Sequence, residues 1–283
     1  MLSRAGNGFM EFAEQWLGEE LDAKIARIHL ERNEVGVDPF GFDPEVARYG
    51  LAFAAFLHRA YFRTEVHGIQ HVPHGRVLIV ANHSGQLPLD AVLLTAALLL
   101  DAEPPRFARS MVEKWTATLP FISFLYPRLG QVVGAQDNAR RLLEQESTLL
   151  VFPEGVDGIA KTYAERYQLQ SFGLGFMRLA LETRTPIVPV AIVGGEEQYI
   201  SIANFRKLAQ ILRMPALPLV PQLFLGMPLP LPTKYRMHFG APMRFSGPSD
   251  DDDASIADKV GRVRSAIDVL LREGLKQRQS IFW

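Results

Sequence analysis

Two short stretches of this chain carry side chains able to move a proton at neutral pH: His83 with Asp90, and Glu154 within Phe152-Pro153-Glu154-Gly155. An imidazole with an ordinary pKa of about 6.5 is largely neutral near pH 7 and can take a proton from an alcohol. A carboxylate bonded to its other ring nitrogen fixes the tautomer and stabilises the imidazolium that forms. Asp90 is placed to be that carboxylate, and the dipole of a helix starting there favours its ionised form. It reads equally as the N-cap of that helix, and the two roles are compatible. No protein nucleophile is required, because an acceptor hydroxyl can itself attack an acyl carbonyl. Ser84 raises an esterase or lipase as an alternative, although His-Ser-Gly-Gln lacks the G-x-S-x-G elbow. A non-catalytic lipid-binding protein is a third reading.

These residues need a scaffold that holds them at one edge. Apolar runs at 76–81 (RVLIVA), 148–152 and 186–193 (PIVPVAIV) read as buried strands, with further strands at 105–110 and 235–239. Helices are predicted at 45–63, 90–100, 115–126, 138–146 with Asp137 as N-cap, 172–183 and 255–278. Strands alternating with helices indicate an α/β domain with a mixed, mostly parallel sheet flanked by helices. In such sheets ligands bind beyond the carboxyl ends of the strands, which is where His83 and the 152–155 turn fall. The glycine of that turn suits a tight bend. Residues 65–283 are taken as the catalytic domain. Residues 1–64 are a helical extension whose 9–30 stretch spaces Phe9, Phe12, Trp16, Leu21 and Ile25 for one apolar face, suited to the core or to a membrane surface.

Composition removes several classes of function. With 30 basic against 31 acidic residues there is no field to attract nucleic acid, and no nucleic-acid-binding signature is present. The absence of cysteine excludes thiolate metal sites and a cysteine nucleophile, and the 7 histidines do not cluster with carboxylates at ligand spacing, so no metal is expected. The N-terminus lacks the uninterrupted apolar stretch of a signal peptide. The run AVLLTAALLL at 91–100 is too short to span a bilayer, and the apolar segment 214–232 is broken by Pro215, Pro218, Pro221, Pro228, Pro230 and Pro232. That segment either lines an acyl entrance, touches lipid, or is a buried connection. Asp250 to Asp253 read as a solvated loop before the last helix.

Taken in order, Asn82-His83 with Asp90, then Phe152-Pro153-Glu154-Gly155, then Pro186 to Ile192, resemble the motif blocks of the lysophospholipid or glycerol-3-phosphate (PlsC-like) acyltransferase family. The resemblance spans roughly residues 65–245 and implies acyl transfer from acyl-CoA or acyl carrier protein to a glycerolipid hydroxyl at a membrane surface. It implies a cytoplasmic, peripherally bound enzyme with no cofactor beyond the acyl donor. By that likeness His83 is the base and Asp90 its partner, while Phe152, Pro153, Glu154 and Gly155 help form the acceptor pocket. Two departures stand out. Six residues separate His83 from Asp90 where the family usually has four, in a loop that Gly85 and Pro88 let bulge, as in neutral-glycerolipid (monoacylglycerol acyltransferase-like) relatives. The family's glutamate-glycine block commonly continues to a phosphate-binding arginine, whereas here Val156-Asp157 follow. Lys161, Arg166, Arg128, Arg140 and Arg141 are the substitutes considered.

Overall fold

The computed structural model describes residues 18–28, 34, 36–84, 87–113, 119–205, 209 and 216–283. In chain order these form α1 (Glu19–Ala26), α2 (Pro44–Phe56) and β1 (Glu65–His67), then β2 (Val77–Ala81), α3 (Leu89–Leu100), β3 (Ala108–Val112) and α4 (Ile122–Arg128). There follow β4 (Val132–Val133), α5 (Gln136–Glu144), β5 (Thr148–Val151), α6 (Val156–Ile159), α7 (Gly175–Thr183) and β6 (Ile187–Val193). The chain continues through β7 (Ala203–Asn204), β8 (Pro218–Leu219), α8 (Pro221–Phe224), β9 (Arg236–Phe239) and α9 (Asp253–Gln277).

Seven strands form one sheet in the order β1-β9-β6-β2-β5-β3-β4, parallel throughout except for the β6–β9 pair. The central strand β2 is wholly buried, which explains its unbroken apolar run: both faces are covered. Leu78 and Val80 pack with residues of α5, α7 and α9 on one face, including Leu142, Met177 and Val263. Val77, Ile79 and Ala81 face Leu93, Leu94 and Leu98 of α3 on the other. The described part of the N-terminal extension lies outside α3, where Leu21, Ala47, Leu51 and Ala55 meet Ala96, Leu99 and Leu100.

The expected α/β architecture is present, with several local differences. The strand expected at 105–110 is shifted to Ala108–Val112, and the helix expected at 115–126 is found at Ile122–Arg128, residues 114–118 lying outside the described residues. The 45–63 helix ends at Phe56 and continues as a π turn over Leu57–Tyr61. Asp137 does not cap its helix. Ala135 occupies the N-cap, and Asp137 sits in the first turn, where Arg140 holds it at 2.9 Å. In the acidic run, Asp252 caps α9 by accepting from the backbone N–H groups of Ala254 and Ser255. Of the expected 9–30 helix, the described portion is Glu19–Ala26; Phe9, Phe12 and Trp16 lie outside the described residues.

Candidate active site

β2 delivers His83 to the carboxyl edge of the sheet, and Asn82 fixes how it leaves. The Asn82 side chain donates to the carbonyl of Ile192 (3.1 Å) and accepts from the N–H of the same residue (2.7 Å). This fully buried clamp ties the end of β2 to β6. Sequence reading named Asn82 as part of a motif but gave it no task, because its partner is 110 residues away.

The His83 Nδ1 lies 2.6 Å from Asp90 Oδ2, and the same oxygen accepts the Ser84 N–H at 2.8 Å. Asp90 Oδ1 accepts the N–H of Ala91. The Asp90 carboxylate is completely buried, and the N-cap position of α3 belongs to Pro88, so the capping alternative for Asp90 does not hold. The six-residue loop still brings carboxylate to imidazole; Gly85 and Gln86 within it lie outside the described residues. With the proton of the ring on Nδ1 facing Asp90, the Nε2 lone pair is the basic one. The side chain of His83 keeps 14% of its surface exposed, and Nε2 has no partner among the described residues.

β5 supplies the second wall. The Phe152 ring stacks on the imidazole, with centroids 4.3 Å apart and an interplanar angle of 22°. Pro153 accepts the N–H of Gly173 through its carbonyl, and Gly155 bends the chain into α6 at φ 53°. Gly158 of α6 then passes so close that an added Cβ would lie 2.7 Å from the Cβ of His83.

Glu154 faces inward. Its Oε1 accepts the backbone N–H of His83 at 2.9 Å, and its Oε2 accepts that of Gln170 at 2.8 Å. Lys161, itself buried, reaches Glu154 at 3.5 Å and Glu196 at 2.8 Å. Glu196 also accepts the N–H of Tyr167. Burial raises the Glu196 carboxyl to about 7 against the opposing pull of Lys161. The sequence-based expectation made Glu154 and Lys161 substrate-binding groups; in the structure Glu154 accepts the backbone N–H groups of His83 and Gln170, and Lys161 pairs with Glu154 and Glu196. Glu196 was missed, having no local signal: it returns to the site from the turn after β6.

The other cations are dispersed. Arg166 is exposed, stacked over the Tyr163 ring at 4.3 Å and bonded to that residue's carbonyl. Arg128 lies over Phe124, and Arg140 pairs with Asp137 and Glu182. Arg141 lines a cavity of about 340 Å³ with Phe40 and Glu144 on the α5 side. Ser84 is fully buried, and its Oγ, which has no hydrogen-bond partner among the described residues, points at Gly195, where a Cβ would come within 2.1 Å of it. An esterase nucleophile must be open to substrate and bonded to its base, so Ser84 does not fit that role.

Residues 63–193 match the family model described as Acyltransferase. An uncharacterized protein of Mycobacterium leprae is 36% identical over 256 residues, covering 87% of this chain and 70% of that one. A mouse protein named "DGAT1/2-independent enzyme synthesizing storage lipids" is 24% identical over 179 residues, covering 60% and 54%. The crystal structure of the 1-acyl-sn-glycerophosphate (LPA) acyltransferase PlsC from Thermotoga maritima superposes with a TM-score of 0.52 at 20% identity, covering 96% of this chain and 95% of that one. The last shows a shared fold.

Proposed function

Because the chain belongs to the PlsC-like acyltransferase family and is an acyltransferase, we propose that His83 is its general base and that the acceptor is a hydroxyl of a glycerolipid or lysophospholipid. The donor is an acyl thioester, acyl-CoA or acyl carrier protein. The acceptor O–H gives its proton to Nε2 as the oxygen attacks the thioester carbonyl. Collapse of the tetrahedral intermediate breaks the C–S bond, and the departing thiolate takes the proton back from the imidazolium. Asp90 holds the ring, and Phe152 packs its face. The observation carrying this reading is the 2.6 Å contact between Nδ1 and Asp90, which leaves Nε2 free beside the 152–155 turn.

Within that class we favour an acceptor without a phosphate. Lys161 is already neutralised by two carboxylates, and Arg166 is stacked on Tyr163, so neither supports phosphate binding. The mouse relative is named as a storage-lipid enzyme, whereas the Thermotoga maritima structure is of a 1-acyl-sn-glycerophosphate acyltransferase, so the preference rests on the cations of the site. The enzyme acts from the cytoplasmic side as a peripheral membrane protein, with no nucleic-acid partner. Among the described residues, no helix is long and apolar enough to cross a membrane.

Thiol release from acyl-CoA and acyl carrier protein, measured over paired acceptors with and without phosphate, tests the reading. His83→Ala should lower transfer by about 10³-fold or more while the protein stays folded. Undiminished transfer by that variant refutes the assignment. Ser84→Ala should retain most activity, whereas an esterase would lose it.

A further inference from the structure

Residues 221–229 form an apolar spur, and we propose that this spur inserts into the surface of a lipid bilayer and presents the His83 edge to it. The proposal rests on the acyltransferase reading only in taking lipid as the chemistry of the partner. Leu223, Phe224, Leu225, Met227 and Leu229 are all exposed, Phe224 at 78%, Leu225 at 72% and Leu229 at 70%. No charged residue occurs between Met214 and Thr233.

Apolar exposure alone does not choose a partner; the backbone does. A segment entering hydrocarbon must satisfy its own N–H groups, because no water is there to do so. In the spur the N–H groups of Leu223, Leu225, Gly226 and Met227 donate to carbonyls of Val220, Pro221, Leu223 and Gln222. Pro228, Pro230 and Pro232 have no N–H at all, and Leu231 donates to Gln198. The tip therefore enters a low-dielectric layer with these donors satisfied, the N–H of Leu229 being left without an acceptor among the described residues.

The base of the spur has the composition of a headgroup layer. Tyr61, partly exposed, donates its hydroxyl to the carbonyl of Pro230 at 2.6 Å, while the buried Tyr199 donates to that of Pro228 at 2.7 Å and anchors the spur from inside. Arg63 donates to the carbonyls of Pro232 and Phe282 and lies over the ring of Trp283, which is 77% exposed. Tyrosine, tryptophan and arginine at this level, with leucine and phenylalanine beyond, follow the polarity gradient from headgroups to acyl chains. A second protein copy would impose no such order.

The spur is also fixed to the site. The buried Gln222 side chain accepts from Ile200 N–H and donates to the Gln198 carbonyl. Gln198 in turn donates through its side chain to the carbonyl of Leu87, in the loop joining His83 to Asp90. Docking the spur thus orients the catalytic edge.

Co-sedimentation of the full chain with phosphatidylcholine vesicles, in the absence of any acyl donor, tests this. The Phe224→Ser/Leu225→Ser double variant, shown folded by circular dichroism, should partition about 10-fold or more weaker than the unsubstituted chain. Val269→Ser, removing another exposed apolar side chain on α9, should not. In Phe224→Trp, brominated phosphatidylcholine should quench emission beyond the baseline set by the 3 native tryptophans. Equal partitioning of the double variant, absence of added quenching, or self-association without vesicles that the double variant abolishes would overturn the proposal. Since no donor is present, lost vesicle binding stands even if acyl transfer is never found, and the two readings fail separately.

Discussion

The wall beneath His83 and the spur at 221–229 use opposite inventories of side chains. Around Glu154 the chain buries a lysine and two carboxylates, and each oxygen of Glu154 has a donor. Along the spur it exposes leucine and phenylalanine and leaves no charge. Both invert the ordinary placement of polar and apolar groups, yet at different cost. The buried cluster is stable only while each charge keeps its partner, since an unpaired ion in the interior is heavily penalised. The spur carries little folding energy, because exposed side chains bury no area against the protein. Folding and positioning therefore depend on the first region, whereas the second is free to serve contact with the outside.

The sharpest break comes at Asp90. Asp90→Asn should lower kcat by about 10³- to 10⁴-fold, because the amide no longer enforces the tautomer that leaves Nε2 basic. The effect should appear in kcat at saturating acceptor, with the melting temperature little changed. Next in size is Lys161→Met, which leaves Glu154 and Glu196 buried without their cation. A loss of about 3 to 5 kcal/mol in unfolding free energy is expected, read by denaturant titration.

The third prediction concerns pH. Glu196 is raised from 4.5 to about 7 in the folded chain. Between those values the folded state holds a proton that the unfolded state has lost. The stabilising contribution is complete below about 4.5 and disappears as pH rises through 7. The stability of Glu196→Gln relative to the unsubstituted protein should therefore rise by up to about 3 kcal/mol from pH 5 to 8, whatever the offset from losing the partner of Lys161. His238, lowered to about 4 by burial, has the opposite slope, its contribution being lost as pH falls, but it is common to both proteins and cancels. A flat difference across that range would show that Glu196 does not titrate there. The smallest effect is expected at the spur: Phe224→Ser should change stability by no more than about 0.5 kcal/mol, and a larger loss would mean that this segment belongs to the core after all.

How much of this was legible in the sequence follows from distance along the chain. β2, β5 and β6 announced themselves as continuous apolar runs, and the α/β class followed from their alternation with helices. The strands β1 and β4 were invisible because three and two residues leave no periodicity to detect. His83 and Asp90 could be paired because 7 positions separate them and both flank one loop. Lys161 was assigned to substrate on charge alone, since nothing local announces that Glu196, 35 residues on, folds back beside it. Glu154 was read by its acidity, and only the three-dimensional arrangement gives its lone pairs to backbone.

The Asn82 clamp bears on how such an enzyme can be altered. Because that amide stitches two adjoining strands together at the point where the base emerges, the backbone of the histidine is anchored by the sheet as well as by the Glu154 turn. Rim segments other than 83–90 and 152–161 can accordingly be exchanged to change which alcohol is admitted, with the proton-accepting centre needing no retuning.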